Sequence, residues 1–200
     1  MPEQKIDERK QRLKRHRAKR YFLEAVKAMI TAGGVESVSV RKVADVAGYS
    51  YATLYNYFED LNELLWDAKQ AMINDIVEYM KKTINDIDLD IDGIKMLYRV
   101  YIKYYFENPN IFKFFYFYRL IKPDNKQLEG GKETDYNGML QETFKRFFLE
   151  GRLGEEEIEL VGKTCIYAVH GMLMLFFSGN GDLTEAGLYR ELDMLIDYLL

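Results

Sequence analysis

Residues Ser39–Phe58 read SVRKVADVAGYSYATLYNYF, and the spacing within them decides the fold class. Val40, Val43, Ala44 and Ala47 recur at i, i+3, i+4 and i+7, the apolar stripe of a helix that Ser39 is placed to cap. Gly48 ends that helix, because glycine takes the left-handed conformation that closes a helix and turns the chain. Ser50 can then cap a second, short helix from Tyr51. In it Leu54 and Phe58 fall four apart and face inward, while Tyr51, Ala52, Tyr55 and Asn56 share the outer face. Side chains of those types hydrogen-bond phosphates, contact a thymine methyl or read an adenine edge. Two helices joined by a glycine turn, the second with such a face, predict a helix-turn-helix.

Outward from this stretch, composition narrows the function classes. The chain has 200 residues, 48% hydrophobic and 14% aromatic, enough for a core in one or two domains. Prolines occur only at Pro2, Pro109 and Pro123, which permits long helices between them and an all-α protein. A single cysteine, Cys165, excludes an intrachain disulfide and a multi-cysteine metal site, and fits a reducing cytoplasm. The charged N-terminus does not resemble a signal peptide, and the densest apolar run, Ala168–Phe177, is short for a membrane span, so no membrane partner is expected. The net charge of −4 is unevenly divided. Residues 1–61 carry +4 and residues 62–200 carry −8, so nucleic acid is expected to meet the first part only. Arg9–Arg20 holds eight basic residues and no acidic one. Alone that run reads equally as a solvated arm; beside a helix-turn-helix it favours phosphate contact.

Along the chain, Ala18, Tyr21, Phe22, Ala25, Val26, Met29 and Ile30 predict a first helix that begins in the basic run and ends at Gly33-Gly34. Asp60 and Glu63 form a capping box for a fourth helix, about Leu61–Ile84. Asp86–Gly93, DIDLDIDG, resembles the opening of a calcium loop, but the twelfth position from Asp88 is Arg99 where a glutamate is required. An acidic connection whose last aspartate caps a fifth helix is the simpler reading. That helix runs to about Glu107, and Ile111–Ile121 forms a sixth. A seventh is built on Met139, Leu140, Phe144, Phe147 and Phe148, and an eighth opens at Glu155 and is apolar nearly all round from Cys165 to Phe177, so both of its sides should be covered. Asp182 and Glu185 make a capping box for a ninth, striped by Leu188, Leu192, Leu195, Ile196 and Leu199. The last two helices suit a dimer interface or packing within one chain.

With these residues in view, about 15–66 resemble the N-terminal domain of the TetR family of transcriptional regulators. The motif residues are Ser39, Arg41, Val43-Ala44, Ala47-Gly48, Thr53-Leu54-Tyr55-Asn56-Tyr57-Phe58 and Glu63-Leu64. The resemblance implies a three-helix DNA-binding domain over 1–61, an effector-binding and dimerisation domain over 62–200, and a homodimer joined through the last two helices. It implies a repressor released from a palindromic operator by a small molecule. Carried over by residue, Arg41 and Lys42 contact phosphates or a base, Ser50, Thr53, Tyr55 and Tyr57 contact the DNA backbone, and Tyr51, Ala52 and Asn56 lie nearest the base edges. The chain departs from the family at Leu61, where a phosphate-clamping lysine is usual, and at Tyr49, where an aliphatic residue is common. The basic arm is therefore expected to carry more of the affinity.

An enzyme and a helical interaction protein are the competing classes. Only His16 and His170 are present, and no nucleophile elbow, phosphate loop or metal-spaced cluster occurs, so no catalytic residue, cofactor or metal is assigned. Cys165 and His170 are poorly spaced for a thiolate pair. The aromatic stretch from Tyr98 to Tyr118 either lines a cavity or packs a core. For a cavity the candidates are Tyr98, Tyr101, Phe115, Tyr118, Met139, Phe144, Met172 and Phe176, which suit a largely apolar or aromatic effector.

Overall fold

The computed structural model describes residues 2–84, 90–123 and 154–200. Among them are eight α-helices and one 3-10 turn, without a strand: α1 Pro2–Gly33, the turn Val35–Ser37, α2 Val40–Ala47, α3 Tyr51–Leu54, α4 Leu61–Ile84, α5 Ile91–Glu107, α6 Pro109–Tyr116, α7 Glu155–Ser178 and α8 Glu185–Leu199. The fold is all-α, as expected. The expected helix over Met139–Phe148 and the start of the acidic connection lie outside the described residues. The chain forms two compact units, Met1–Met72 with Asn110–Gln127, and Ile73–Pro109 with Leu128–Leu200.

In the first unit α1 is helical through the whole basic run, and its Phe22, Val26 and Ile30 are fully buried. Gly34 follows at φ 76°, a conformation that glycine adopts without strain. The Ser39 hydroxyl accepts from the Lys42 amide at 3.4 Å and starts α2, which buries Val43 and Ala44. Gly48, at φ 76° and ψ 29°, stops it, and the Ser50 hydroxyl accepts from the Thr53 amide at 3.1 Å to start α3. Leu54 and Phe58 point inward, as their spacing predicts. Tyr49 is absorbed between helices, with its ring 5.1 Å from Phe22 and 6.4 Å from Tyr21.

At the start of α4 the Asp60 carboxylate accepts from the Glu63 amide at 2.8 Å. Glu63 reaches back to the amide of Glu59 (2.5 Å), so the box extends one residue further than its sequence pattern suggests. The sixth helix begins earlier and ends sooner than the periodicity predicts. Pro109 fits its first turn, where no amide is needed. Beyond Tyr116 the chain leaves the helix, and at Ile121 the Asn62 side chain takes both backbone groups, at 2.7 and 3.1 Å. Lys69 adds a further tie, donating to the Phe115 carbonyl at 3.1 Å.

In the second unit α5 buries Ile94, Leu97, Tyr98, Tyr101, Ile102 and Tyr105, while α8 buries Leu188, Leu192 and Ile196. Arg99 grips both carboxylate oxygens of Asp193, and Lys95 meets Asp197 at 2.5 Å. Two caps differ from expectation. Asp90, not Asp92, accepts from the Gly93 amide (2.8 Å), and Thr184, not Asp182, caps α8 through the Gly187 amide (3.0 Å). In each case the residue three before the bonded amide has the required geometry. Among the described residues α7 is covered on one side only. Val161, Cys165, Val169 and Leu173 are buried, whereas Leu160, Tyr167, Met174 and Leu175 are exposed. Its segment Glu156–Ser178 is long and apolar enough, by length and composition alone, to cross a bilayer, which the shorter run Ala168–Phe177 concealed.

Candidate nucleic-acid interface and buried polar core

The outer face of the helix-turn-helix is held by its neighbours rather than by its own length. α3 has four helical residues, and the next turn tightens, with Asn56 bonded to Thr53 (3.1 Å) and Tyr57 to Leu54 (2.9 Å). Tyr51 and Tyr55 stand 54% and 50% exposed with their rings edge-on at 6.3 Å, and Ala52 and Asn56 are exposed beside them. The Arg41 guanidinium lies 5.9 Å from the Tyr51 ring, on the same surface. Lys42 is exposed, and its ammonium donates to the Ser37 carbonyl at 3.3 Å. Ser50 and Thr53 share a hydroxyl contact at 2.8 Å. Tyr57 is half-buried, its ring 5.6 Å from Phe22.

Two contacts were invisible in the sequence. Arg15, from the basic run, reaches the Asn56 carbonyl at 3.5 Å and lies 5.7 Å from the Tyr57 ring, so the run sits against the end of the outer face. Lys19 pairs with Asp67 at 2.8 Å and lies 5.6 Å from the Phe58 ring. These contacts join residues at least 39 positions apart, and no periodicity encodes that. Arg9, Lys10, Arg12, Lys14 and Arg17 are all exposed. Leu61 is half-buried at the first position of α4 and brings no charge there.

The aromatic candidates divide between the units. Phe115, buried, and Tyr118, 39% exposed, belong to the first; Tyr98, Tyr101, Met172 and Phe176 belong to the second. Met139 and Phe144 lie outside the described residues. In the second unit Tyr98 and Tyr101 are buried on α5, and Phe176 packs its ring 4.8 Å from Phe106. The Tyr101 hydroxyl lies 2.7 Å from His170 Nε2 and 3.4 Å from the Tyr105 hydroxyl. One turn earlier, the Tyr98 hydroxyl is buried without a hydrogen bond. The Cys165 thiol is its polar neighbour, close enough for the two to influence each other's protonation but not a full hydrogen-bond partner.

Burial sets the protonation of this core. It pushes the Tyr98 hydroxyl far above its ordinary value and the Cys165 thiol up to about 11, and it lowers His170 to about 4. All three are neutral near pH 7. A thiol that stays protonated is a poor nucleophile, and an imidazole that stays neutral is a poor general acid.

Comparison with known proteins bears on both regions. Residues 22–67 match the model for bacterial regulatory proteins of the tetR family. A comparison with curated proteins finds no match. Among solved structures, RolR in complex with resorcinol is similar at TM-score 0.68 and 14% identity, over 93% of this chain and 89% of that one. A putative TetR-family regulator from Mesorhizobium loti is similar at TM-score 0.67 and 20% identity, over 93% and 96%. FadR from Bacillus subtilis in complex with stearoyl-CoA is similar at TM-score 0.65 and 14% identity, over 90% and 96%. At these identities the likeness is one of fold.

Proposed function

With residues 22–67 belonging to the tetR family of bacterial regulatory proteins as the premise, we propose that the protein is a DNA-binding transcriptional repressor released from a palindromic operator by a small, largely apolar or aromatic effector. The observation that carries this reading is the exposed face of Tyr51, Ala52, Tyr55 and Asn56 with the basic run of α1 seated at its end through Arg15. A small polar face reads bases, and a cationic helix beside it neutralises phosphates. Arg41 and Lys42 contact phosphates or a base, and Ser50, Thr53, Tyr55 and Tyr57 supply backbone contacts, with Lys42 and Tyr57 also packed against the domain beneath. DNA recognition is assigned to residues 1–61, and effector binding and dimerisation to 62–200. The compact units divide otherwise, since the first also takes residues to 72 and from 110 to 127.

A single head of this size reads few base pairs, so two are needed, spaced about 34 Å along the duplex. The exposed apolar residues of the last two helices suit that partner: Leu160, Tyr167 and Leu175 on α7, Met194 and Tyr198 on α8, with Tyr198 88% exposed. A second copy covering them would supply the missing side of α7 and leave no membrane partner to invoke. The same reading makes it a cytoplasmic protein that acts by binding, without turnover, and the raised Cys165 thiol and lowered His170 fit that role.

Gel-shift titration against DNA flanking the protein's own gene, at 50 and 200 mM salt, tests it. A discrete complex that weakens steeply with salt is expected, and specific binding to none of the fragments would remove the repressor reading. Light scattering on protein purified without detergent is expected to give twice the 23.6 kDa chain mass. Recovery only in the membrane fraction would instead assign the apolar side of α7 to lipid.

A further inference from the structure

The second unit is where the reading above puts the effector, and this inference rests on that reading. Native interiors leave very few buried polar atoms without a hydrogen bond, and each such atom calls for a partner. Among the described residues Tyr98 alone has a buried side-chain polar atom of this kind. The contrast with its neighbours on α5 is direct. Tyr101, three residues on, has its hydroxyl matched by His170, and Tyr105 lies within reach of Tyr101. Phenylalanine would fill the Tyr98 site equally well, so the hydroxyl adds only an unused donor. The neighbouring Cys165 thiol is a weak partner that leaves the hydroxyl short of a full hydrogen bond.

We propose that the Tyr98 hydroxyl donates a hydrogen bond to an oxygen of the bound effector, and that this effector is uncharged: an alcohol, phenol, ketone or ester on an apolar body. The absence of charge follows from the company Tyr98 keeps. Cys165, Tyr101, Tyr105 and His170 are neutral hydrogen-bonding groups near neutral pH, His170 because burial lowers it to about 4. The cations of α5 are committed elsewhere: Lys95 to Asp197, Arg99 to Asp193 and Lys103 to Glu107. A carboxylate or phosphate carried into this core would lose its hydration with no described cation to replace it.

The test uses the full chain and matched probes: p-cresol, toluene and 4-methylbenzoate, with 1-octanol and octanoate as the aliphatic pair, measured by calorimetry. At least one neutral oxygen probe is expected to bind about tenfold tighter than its hydrocarbon or carboxylate counterpart, the equivalent of one net hydrogen bond. Tyr98→Phe should erase that preference and leave toluene unchanged. Without any probe, the melting temperature of Tyr98→Phe should equal or exceed that of the parent protein, whereas Tyr101→Phe, which removes a bonded hydroxyl, should lower it. Tighter binding of the carboxylates, a preference that survives Tyr98→Phe, binding of no oxygen probe, or a loss of about 2–4 °C in unliganded Tyr98→Phe would each overturn the assignment. The last would mean that the hydroxyl already has a partner within the chain. Because none of these measurements involves DNA, failure here is distinct from failure of the gel shift.

Discussion

The two units distribute polarity in opposite senses. The first packs an apolar core around Phe22, Leu54 and Phe58, keeps its buried Glu63 for capping α4, and puts its functional groups outside, as cations on α1 and amide and phenol groups on the reading face. The second turns hydroxyl, thiol and imidazole inward at the buried Tyr98, Tyr101 and Cys165 and the half-buried His170, and leaves Tyr167, Met194 and Tyr198 exposed. The difference follows from what each must bind. A duplex is a polyanion too large to enclose, so it is met by exposed charge. A small molecule is held by enclosure, which puts the polar contacts inside and frees the outer surface for a second copy.

The comparison can be broken from its strongest side first. Phe22→Ala empties a fully buried site flanked by Tyr49, Tyr57 and Phe58, and should cost about 3–5 kcal/mol in urea unfolding, taking DNA binding with it. A mild loss would mean that the apolar core is not centred there. Changing Arg12, Arg15 and Arg17 to Gln should weaken binding to every sequence and reduce the log–log salt slope by about 2–3. Asn56→Ala should instead cost about 1–3 kcal/mol only on the preferred site, relaxing selectivity at one base pair. If the two variants act alike, arm and face have no separate roles.

Acid probes the interior of the second unit. His170 titrates at about 4 when folded against 6.5 when unfolded, so between these values the unfolded chain holds more protons. The stability His170 contributes is complete above pH 6.5 and is lost as pH falls towards 4, a decline of about 1–3 kcal/mol. Urea midpoints measured from pH 7 to 4.5 should show it, and His170→Leu should flatten that part of the profile. An unchanged profile would place the imidazole in water. The smallest effect belongs to the partly exposed Arg99–Asp193 pair. Asp193→Asn should lose about 0.2–1 kcal/mol, and less in 0.5 M salt.

Legibility differed between the units for physical reasons. Ser39, Gly48 and Ser50 act within four residues of themselves, so the caps and the turn could be derived from spacing alone. Asp90 and Thr184 obey the same rule, yet an equally suitable residue stood two places away in each case, and only backbone geometry separated the pairs. The path after α6 was not derivable at all, since Ile121 is held there by Asn62, 59 residues away. Arg15 against Asn56 and Tyr98 beside Cys165 are likewise products of packing.

The amino-acid sequence by itself determined the order of the described helices, the turn between α2 and α3 and the outward direction of Tyr51, Ala52, Tyr55 and Asn56, because periodicity and capping are short-range chemistry. Tertiary structure alone decided which tyrosine of α5 is left without a partner, where the basic run meets the reading face and which side of α7 stays bare. Those outcomes depend on which distant side chains arrive at a given point, and local spacing carries no record of that.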